Sequence, residues 1–558
     1  MTATPRPRAA TALHATLAFG AGALHALSFT PLEAWWLQFA ALAVLPWLIL
    51  RAPRDSAVAG FAFGLGTFLI GVSWLYISMH RYGGMPAPLA ALALLLFAAY
   101  LALFPALVAL LTARGLRRAA SVDGLAADAR AASAAALLFG GLWGLAEMAR
   151  GHLFTGFPWL AAGYAHVDGP LAGFAPWVGV YGISALAALA AAGLALLVRL
   201  ATVRAGLACA LLPIAAGAGL AQIDWVEPAG RPLTVRLLQG NVPQEMKFDR
   251  ERSLRAMLNY TEQVLQAPAA LTVLPETAWT VPWGATPPQL VDALAAHAAR
   301  HDARIAIGMP LAAPPAAMPP DAAPRGGSGA NAGANTGPGA SPRAPLQRRI
   351  TNSVGVIDGS GAVTTRYDKR HLVPFGEFIP TGFGWFVRLM DIPLGEFARG
   401  AARQAPLTVG DARVGFNICY EDLFGEELAR QVHDGATVMV NVSNIAWFGD
   451  SHALPQHLQI ARMRSIEFAR PMLRSTNTGV TAGIDAHGRV VAQLPPYTVG
   501  ALTLEIAGAK GVTPFARAAT LLPLALSLAL LGAGALAARA GRRADRRAGR
   551  EGPPALDS

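Results

Sequence analysis

The feature that most constrains this chain is a series of apolar, nearly uncharged runs at 10–29, 34–50, 57–79, 87–113, 131–149, 171–198 and 205–223, with an eighth at 518–538. Most approach or exceed the roughly 20 residues a helix needs to cross a bilayer. Hydrocarbon offers no water to backbone N–H and C=O groups, so such a run is stable there as a helix, which satisfies them internally. The runs predict a polytopic α-helical membrane domain of about eight transmembrane helices. The first run has no clear small-residue cleavage site and leads straight into the second, so it reads as an uncleaved span rather than a signal peptide. Composition agrees: 54% of the 558 residues are hydrophobic and 14% charged, whereas soluble domains carry about a quarter charged residues.

Arginine placement orients these spans, because cytoplasmic loops are enriched in basic residues. A cytoplasmic N-terminus puts Arg6, Arg8, Arg51, Arg54, the cluster from Arg114 to Arg130, Arg199, Arg204 and the tail from Arg539 to Arg550 on the inner side. The outer loops keep only Arg81 and Arg150. Residues 1–228 then form a membrane domain of seven spans, 229–512 an extracytoplasmic domain, and 513–558 a returning span with a basic cytoplasmic tail. The formal charge of +11, from 45 basic and 34 acidic residues, is thereby a topology signal and argues against nucleic acid as a partner. The chain's two cysteines, Cys209 and Cys419, are far apart and make no disulfide framework. Cys209 sits in an apolar run and reads as packing.

Glu147, Arg150, Gly151, His152, Phe157, Pro158, Trp159 and Tyr164 crowd the outer loop after the fifth span. They fit a helix-end ion pair with interfacial aromatics, and equally a docking surface for lipid headgroups.

From about 230 strands and helices alternate. Strands are expected at 234–238, 271–274, 304–308, 352–357, 412–418, 437–442, 479–484 and 490–494, with helices near 250–266, 287–300 and 454–469. This predicts an α/β sandwich of about 280 residues, large enough for its own core. Residues 310–349 are rich in Ala, Pro, Gly, Ser and Asn without apolar periodicity and read as a disordered insertion. Residues 378–397 hold Phe378, Phe383, Trp385, Phe386 and Phe397. They suit a core segment, or a lid facing lipid.

Three strand ends or post-strand turns carry chemistry: Glu276, Lys369 and Cys419. A thiol nucleophile needs a base or a neighbouring cation; a glutamate supplies the first, and a lysine steadies both thiolate and oxyanion. Singly, each has an ordinary explanation: a cysteine after a strand is usually a small core residue, and Glu or Lys is usually solvated. Arg366 and Arg370 beside Lys369 also fit a solvated basic edge, or a contact to lipid phosphate.

Together, Pro275-Glu276-Thr277, the Lys369 block through Glu377, and Cys419-Tyr420-Glu421 resemble the nitrilase or carbon–nitrogen hydrolase superfamily. With the membrane runs, and with Gly156-Phe157-Pro158-Trp159, Gln239-Gly240-Asn241, Ser443-Asn444, Ala446-Trp447-Phe448-Gly449 and Arg474-Ser475-Thr476-Asn477, nearly the whole chain resembles the apolipoprotein N-acyltransferase family of bacterial envelopes. The resemblance implies a nitrilase-like αββα sandwich facing the periplasm, carried by a multi-pass protein of the inner (cytoplasmic) membrane. It implies a ping-pong reaction without cofactor or metal: Cys419 takes an acyl chain from a phospholipid as a thioester, with Glu276 as base and Lys369 at the oxyanion. The acyl group then passes to the α-amine of a diacylglyceryl apolipoprotein. Glu377, Tyr420 and Glu421 match supporting positions, and the charge of Glu421 suggests that it orients Lys369 or the amine. Candidate lipid contacts are Phe248, Trp279, Phe378, Trp385, Trp447, Glu147 and Arg150. Two positions depart from the family pattern: Phe248 where tryptophan is common, and Ile445 where aspartate is common. His371, His452 and His457 match no metal-ligand spacing, and the protein is expected to be monomeric.

A membrane-anchored amidase using the same three residues is the main rival, separated by whether the acyl acceptor is an amine or water. A scaffold with an inactive sandwich is disfavoured by retention of all three groups. A transporter is disfavoured because the spans hold no cluster of internal charges.

Overall fold

A computed structural model describes residues 8–119, 129–198, 200–243, 250–314, 350–380, 382 and 397–548. Apolar helices occupy all eight runs: α1 (Arg8–Leu27), α2 (Trp35–Arg51), α3 (Ser56–Gly71) with the short α4 (Trp74–Ile77), α5 (Ala87–Ala119), α6 (Ala129–His152), α7 (Ala175–Leu196), α8 (Val203–Leu220) and, near the C-terminus, α14 (Leu521–Ala548). Among the described residues six helices are long and apolar enough to cross a membrane. A seventh span forms if α3 and the segment Trp74–Tyr82, bent by 53°, count as one, and Trp35–Arg51, at 17 residues, is a shorter apolar helix. Length and composition thus support six or seven of the eight expected crossings.

The region after α8 folds into two six-stranded sheets, ordered β12-β1-β2-β3-β4-β5 and β11-β10-β9-β8-β7-β6. The first comprises β1 (Glu227–Gln239), β2 (Leu271–Val273), β3 (Arg304–Ala312), β4 (Ile350–Ile357), β5 (Val363–Asp368) and β12 (Gly500–Lys510). The second comprises β6 (Leu407–Val409), β7 (Ala412–Ile418), β8 (Val438–Ser443), β9 (Met472–Thr476), β10 (Ala482–Ile484) and β11 (Val490–Gln493). Alternate residues of β7, Ala412, Val414, Phe416 and Ile418, point into the core between the sheets, facing Val235, Leu237, Val273 and Val354 from the first. Helices α9 (Arg250–Leu265) and α10 (Pro288–His301) cover the first sheet. Helices α11 (Gly425–His433), α12 (Ala453–Phe468) and α13 (Pro514–Ala518) cover the second. The layers are therefore αββα, as expected.

Some elements differ from the sequence reading. Strand β3 runs on to Ala312, because pairing with β4 as far as Ala312↔Ile350 supplies backbone partners that propensity does not reveal. Of the expected insertion at 310–349, the part from 315 onward lies outside the described residues, as do 383–396 of the apolar segment. Strands β5, β6, β9 and β12 and helices α11 and α13 were not expected. β12 pairs antiparallel with β1 from Gln239↔Gly500 to Glu227↔Lys510, so both ends of the sandwich leave the same edge towards α8 and α13.

Helix α12 fixes how the sandwich sits on the membrane helices. Most of its residues are buried on every side, including Gln456, His457, Gln459, Arg464 and Glu467, so these polar groups need partners. Gln456 Oε1 accepts the indole N–H groups of Trp159 (2.8 Å) and Trp74 (3.3 Å), and its amide donates to Gly71 O (3.3 Å). Glu467 accepts from Arg464 (2.9 Å) and from the backbone N–H of Val180 (2.7 Å). That N–H is free because α7 is interrupted at Gly179, whose φ of 60° favours glycine and whose Cβ, if present, would lie 2.2 Å from the Phe515 ring.

Removing one member of a buried ion pair strands the other charge, at a cost of about 3–5 kcal/mol. Glu467→Leu is therefore expected to lower the melting temperature more than the double substitution Arg464→Met/Glu467→Leu. Thermal unfolding in detergent checks the order; a double variant that melts below the single one contradicts the clamp.

Candidate active site

The strands of both sheets bring three short turns together. Glu276 follows β2, where the chain turns sharply at Thr277 (φ 52°). Gly308 on neighbouring β3 makes room for this turn: a Cβ there would lie 2.3 Å from Pro275 O and 2.6 Å from Glu276 Cα. Lys369 follows β5, its N–H donating to Asn352 O of β4 (2.8 Å). Cys419 follows β7 and is itself left-handed, with φ of 53°. For a residue other than glycine this conformation costs of order 1–3 kcal/mol and persists only where the surroundings impose it. It turns the chain abruptly from strand into the helical turn Cys419–Leu423.

Lys369 is 1% exposed, and its ammonium donates to Glu276 Oε1 (3.1 Å) and Glu377 Oε1 (2.9 Å). One amide, Asn352 Nδ2, donates to the same two oxygens at 2.7 and 2.6 Å. The other carboxylate oxygens are held by backbone: Glu276 Oε2 by Asn444 N–H (2.8 Å) and Glu377 Oε2 by Val373 N–H (2.8 Å). An ammonium has three N–H groups, so one remains without a protein acceptor among the described residues.

Electrostatics assigns the protons. Burial alone disfavours the Lys369 cation, but Glu276 and Glu377 outweigh it and hold its pKa above the usual lysine value. Burial also pushes the Glu276 carboxyl up, yet Lys369 and the hydrogen bonds from Asn352 and Asn444 bring it below the ordinary carboxylate range. The Cys419 thiol is pushed up to about 12 by burial and by the Glu276 charge, against the pull of Lys369. Burial and these charges favour an ionised Glu276–Lys369 pair beside a protonated thiol. A thiol held in this state would need a base within reach to act as a nucleophile.

Residues 21–193 match the family model of the apolipoprotein N-acyltransferase N-terminal domain, and residues 234–510 that of carbon-nitrogen hydrolase. An apolipoprotein N-acyltransferase of Ralstonia nicotianae is 46% identical over 544 residues, 96% of this chain and 94% of the relative. Those of Bordetella bronchiseptica and Nitrosomonas europaea are 44% and 42% identical, covering 89% and 94% of this chain and 92% and 98% of themselves. The chain belongs to the apolipoprotein N-acyltransferase family.

Among the supporting residues expected from this family, Glu377 joins the lysine directly, while Glu421 acts elsewhere. Its carboxylate accepts from the N–H groups of Arg370 (2.7 Å), His371 (3.1 Å) and Ile418 (2.7 Å) and from Tyr367 OH (3.0 Å). It ties the Lys369 loop to the Cys419 turn instead of touching the ammonium. Burial nevertheless raises its pKa to about 7. Tyr420 OH donates to Gly156 O (3.0 Å) of the loop after α6, joining the turn to the membrane part. Asn352 and Asn444 were not foreseen as site residues, although Asn352 opens an expected strand and Asn444 lies in the Ser443-Asn444 segment that carries the resemblance.

The lipid-contact candidates divide. Glu147 and Arg150 are buried and occupied: Glu147 accepts from Trp143 and Ala162 N–H, and Arg150 donates to Phe157 O and to Trp159 O (2.7 Å). They shape the Gly156–Trp159 loop and line a cavity among the apolar helices with Phe68, Phe104 and Trp143. Trp279 is wholly buried between the first sheet and its helices, donating to Thr286 Oγ1 (3.0 Å), and is a core residue. Trp447 meets Tyr82 edge-on (6.2 Å), and Phe378 lies under the Arg399 guanidinium (5.2 Å); both are half-buried. Phe248 and Trp385 lie outside the described residues. Ile445 is buried in an apolar cluster with Tyr420, Phe424 and Trp159, which explains an aliphatic residue at this position.

Asn352→Ala removes a donor shared by two buried carboxylates, worth about 1.5–3 kcal/mol to a charged acceptor. Because that bond helps to hold Glu276 low, its loss raises the Glu276 pKa, and the pH limb along which thiol reactivity falls on acidification is expected to move to higher pH. The pH profile of Cys419 alkylation by iodoacetamide checks this; an unmoved limb rules it out.

Proposed function

We propose that this chain is a phospholipid:apolipoprotein N-acyltransferase working by a ping-pong mechanism on Glu276, Lys369 and Cys419. The reading rests on one observation above all: the Cys419 turn, beside a buried Glu276–Lys369 pair, is bonded through Tyr420 to a loop of the apolar-helix region. A hydrolase of small soluble amides has no use for such an attachment. An enzyme joining two membrane-anchored substrates gains effective concentration and orientation from it.

In the first half-reaction Glu276 takes the thiol proton as sulfur attacks the ester carbonyl of a phospholipid. The free Lys369 N–H receives the oxyanion, where a preorganised donor acts most strongly. Collapse breaks the C–O bond, Glu276 returns the proton to the departing alkoxide, and lysophospholipid leaves a Cys419 thioester. The α-amine of a diacylglyceryl apolipoprotein then attacks the thioester. Glu276 accepts the amine proton, the C–S bond breaks, and the proton returns to sulfur with the amide formed. The low pKa of Glu276 keeps it ionised for both attacks.

The same reading gives the chain three parts: 1–228 in the membrane, 229–512 as the catalytic domain in the periplasm, and 513–558 as a final span with a basic tail. Both termini face the cytoplasm, by the arginine asymmetry, and the protein works as a monomer in the inner membrane.

Incubating the protein with phospholipid labelled in its acyl chain is expected to give a hydroxylamine-sensitive adduct, absent from Cys419→Ala and formed about 10²–10⁴-fold more slowly in Glu276→Gln. A diacylglyceryl lipopeptide should discharge the label onto its amine. Label appearing instead as free fatty acid would identify a hydrolase, and an adduct persisting in Cys419→Ala would eliminate the nucleophile.

A further inference from the structure

Behind the nucleophile turn lies a second cluster of ionisable side chains that the mechanism above does not use. Asp422, His457 and Arg474 are each at most 1% exposed. Asp422 Oδ2 accepts from Arg474 Nη1 (2.8 Å), Arg474 Nη2 reaches His457 Nδ1 (2.9 Å), and His457 Nε2 meets Asp422 Oδ1 (2.9 Å). Arginine only donates, so Nδ1 of His457 must accept, and the ring proton sits on Nε2. Besides Asp422, that N–H faces Cys419 O at 3.3 Å, the same carbonyl that takes Asn441 Nδ2 at 3.2 Å. On its other side the imidazole stacks on Trp159, with centroids 5.7 Å apart and planes inclined by 26°. Trp159 belongs to the loop whose Gly156 O holds Tyr420, and its indole N–H is fixed by Gln456.

We propose that Asp422, His457 and Arg474 form a positioning relay that holds the carbonyl of Cys419, and hence its left-handed backbone, while Trp159 seats the relay against the membrane part. The proposal rests on the reading of Cys419 as nucleophile. A strained φ needs an external constraint, and the Cys419 carbonyl is one point at which the surroundings supply it. Arg474 selects the histidine tautomer, Asp422 accepts from Arg474 and His457, and the one His457 N–H is shared between Asp422 Oδ1 and Cys419 O. The relay touches no reacting atom, so its loss should slow the acylation step with little effect on phospholipid binding.

The test uses the full-length protein in detergent with phospholipid vesicles, reading the single-turnover rate of the Cys419 acyl adduct, its dependence on phospholipid concentration, and the melting temperature. His457→Leu is expected to form the adduct about 10–100-fold more slowly, as a misplacement of order 1 Å does, with half-saturation near that of the parent. His457→Gln keeps an amide N–H within reach of Cys419 O and should recover most of the loss. Asp422→Asn, nearly isosteric, offers one acceptor where two are needed and should fall with the leucine variant. It decides the matter if His457→Leu does not fold. A leucine or Asp422→Asn variant acylating at the parent rate, or a glutamine variant no better than leucine, overturns the relay while the nucleophile reading stands. A parent protein that forms no adduct on Cys419 removes that reading, and the relay with it.

Discussion

The end of the sandwich that carries Glu276, Lys369 and Cys419 is arranged around one buried ammonium. Taking an ion out of water costs several kcal/mol even after relaxation, and Lys369 is 1% exposed. Two carboxylates share the cation and leave a local excess of one negative charge, which Asn352 and the N–H groups of Asn444 and Val373 offset. The donors come from both sheets: Asn352 and Lys369 from β4 and the end of β5, and Asn444 from beyond β8. A strand slipped by one residue would turn its side chains to the opposite face and orphan a buried charge. Satisfying the lysine therefore sets how the two sheets meet.

A similar constraint governs the contact with the membrane helices. Apolar surfaces alone would let the sandwich slide over them, since burial of hydrocarbon is non-directional. Helix α12 instead presents Gln456 to two tryptophans and Glu467 to an interrupted helix, each in a dry environment where an unmade bond is costly. The polar contacts fix position, and the surrounding apolar cluster of Trp74, Trp159, Tyr164, Phe424 and Leu454 supplies adhesion.

Much of this was legible in the sequence, and the exceptions have physical causes. The apolar runs and the alternation in β7 follow from periodicity, and the local motifs single out Glu276, Lys369 and Cys419, which the fold brings to one end of the sandwich. The supporting geometry was harder to read. The charge of Glu421 suggested a partner for Lys369, whereas its carboxylate is spent on three backbone N–H groups and a tyrosine, a use that depends on which turns lie within reach. Glu147 and Arg150 looked like headgroup ligands because sequence places them at a helix end, and only the folding back of the Gly156–Trp159 loop fills their hydrogen bonds. Asn352 carries no signal of its own: an asparagine opening a strand is ordinary until two acids and a lysine converge on it. Trp279 belonged to the core for the plain reason that its indole found Thr286.

The bond from Tyr420 to Gly156 crosses the boundary between the two parts of the molecule. Synthesis delivers the Gly156 loop long before residue 420 emerges, so the membrane part is in place as a template when the turn is made. The sandwich is closed only by β12, the last strand to leave the ribosome. A truncated or unassembled chain thus carries its cysteine in an unfinished turn. The geometry of the Cys419 turn is therefore completed late in synthesis, after the apolar helices that anchor it through Gly156 have been made.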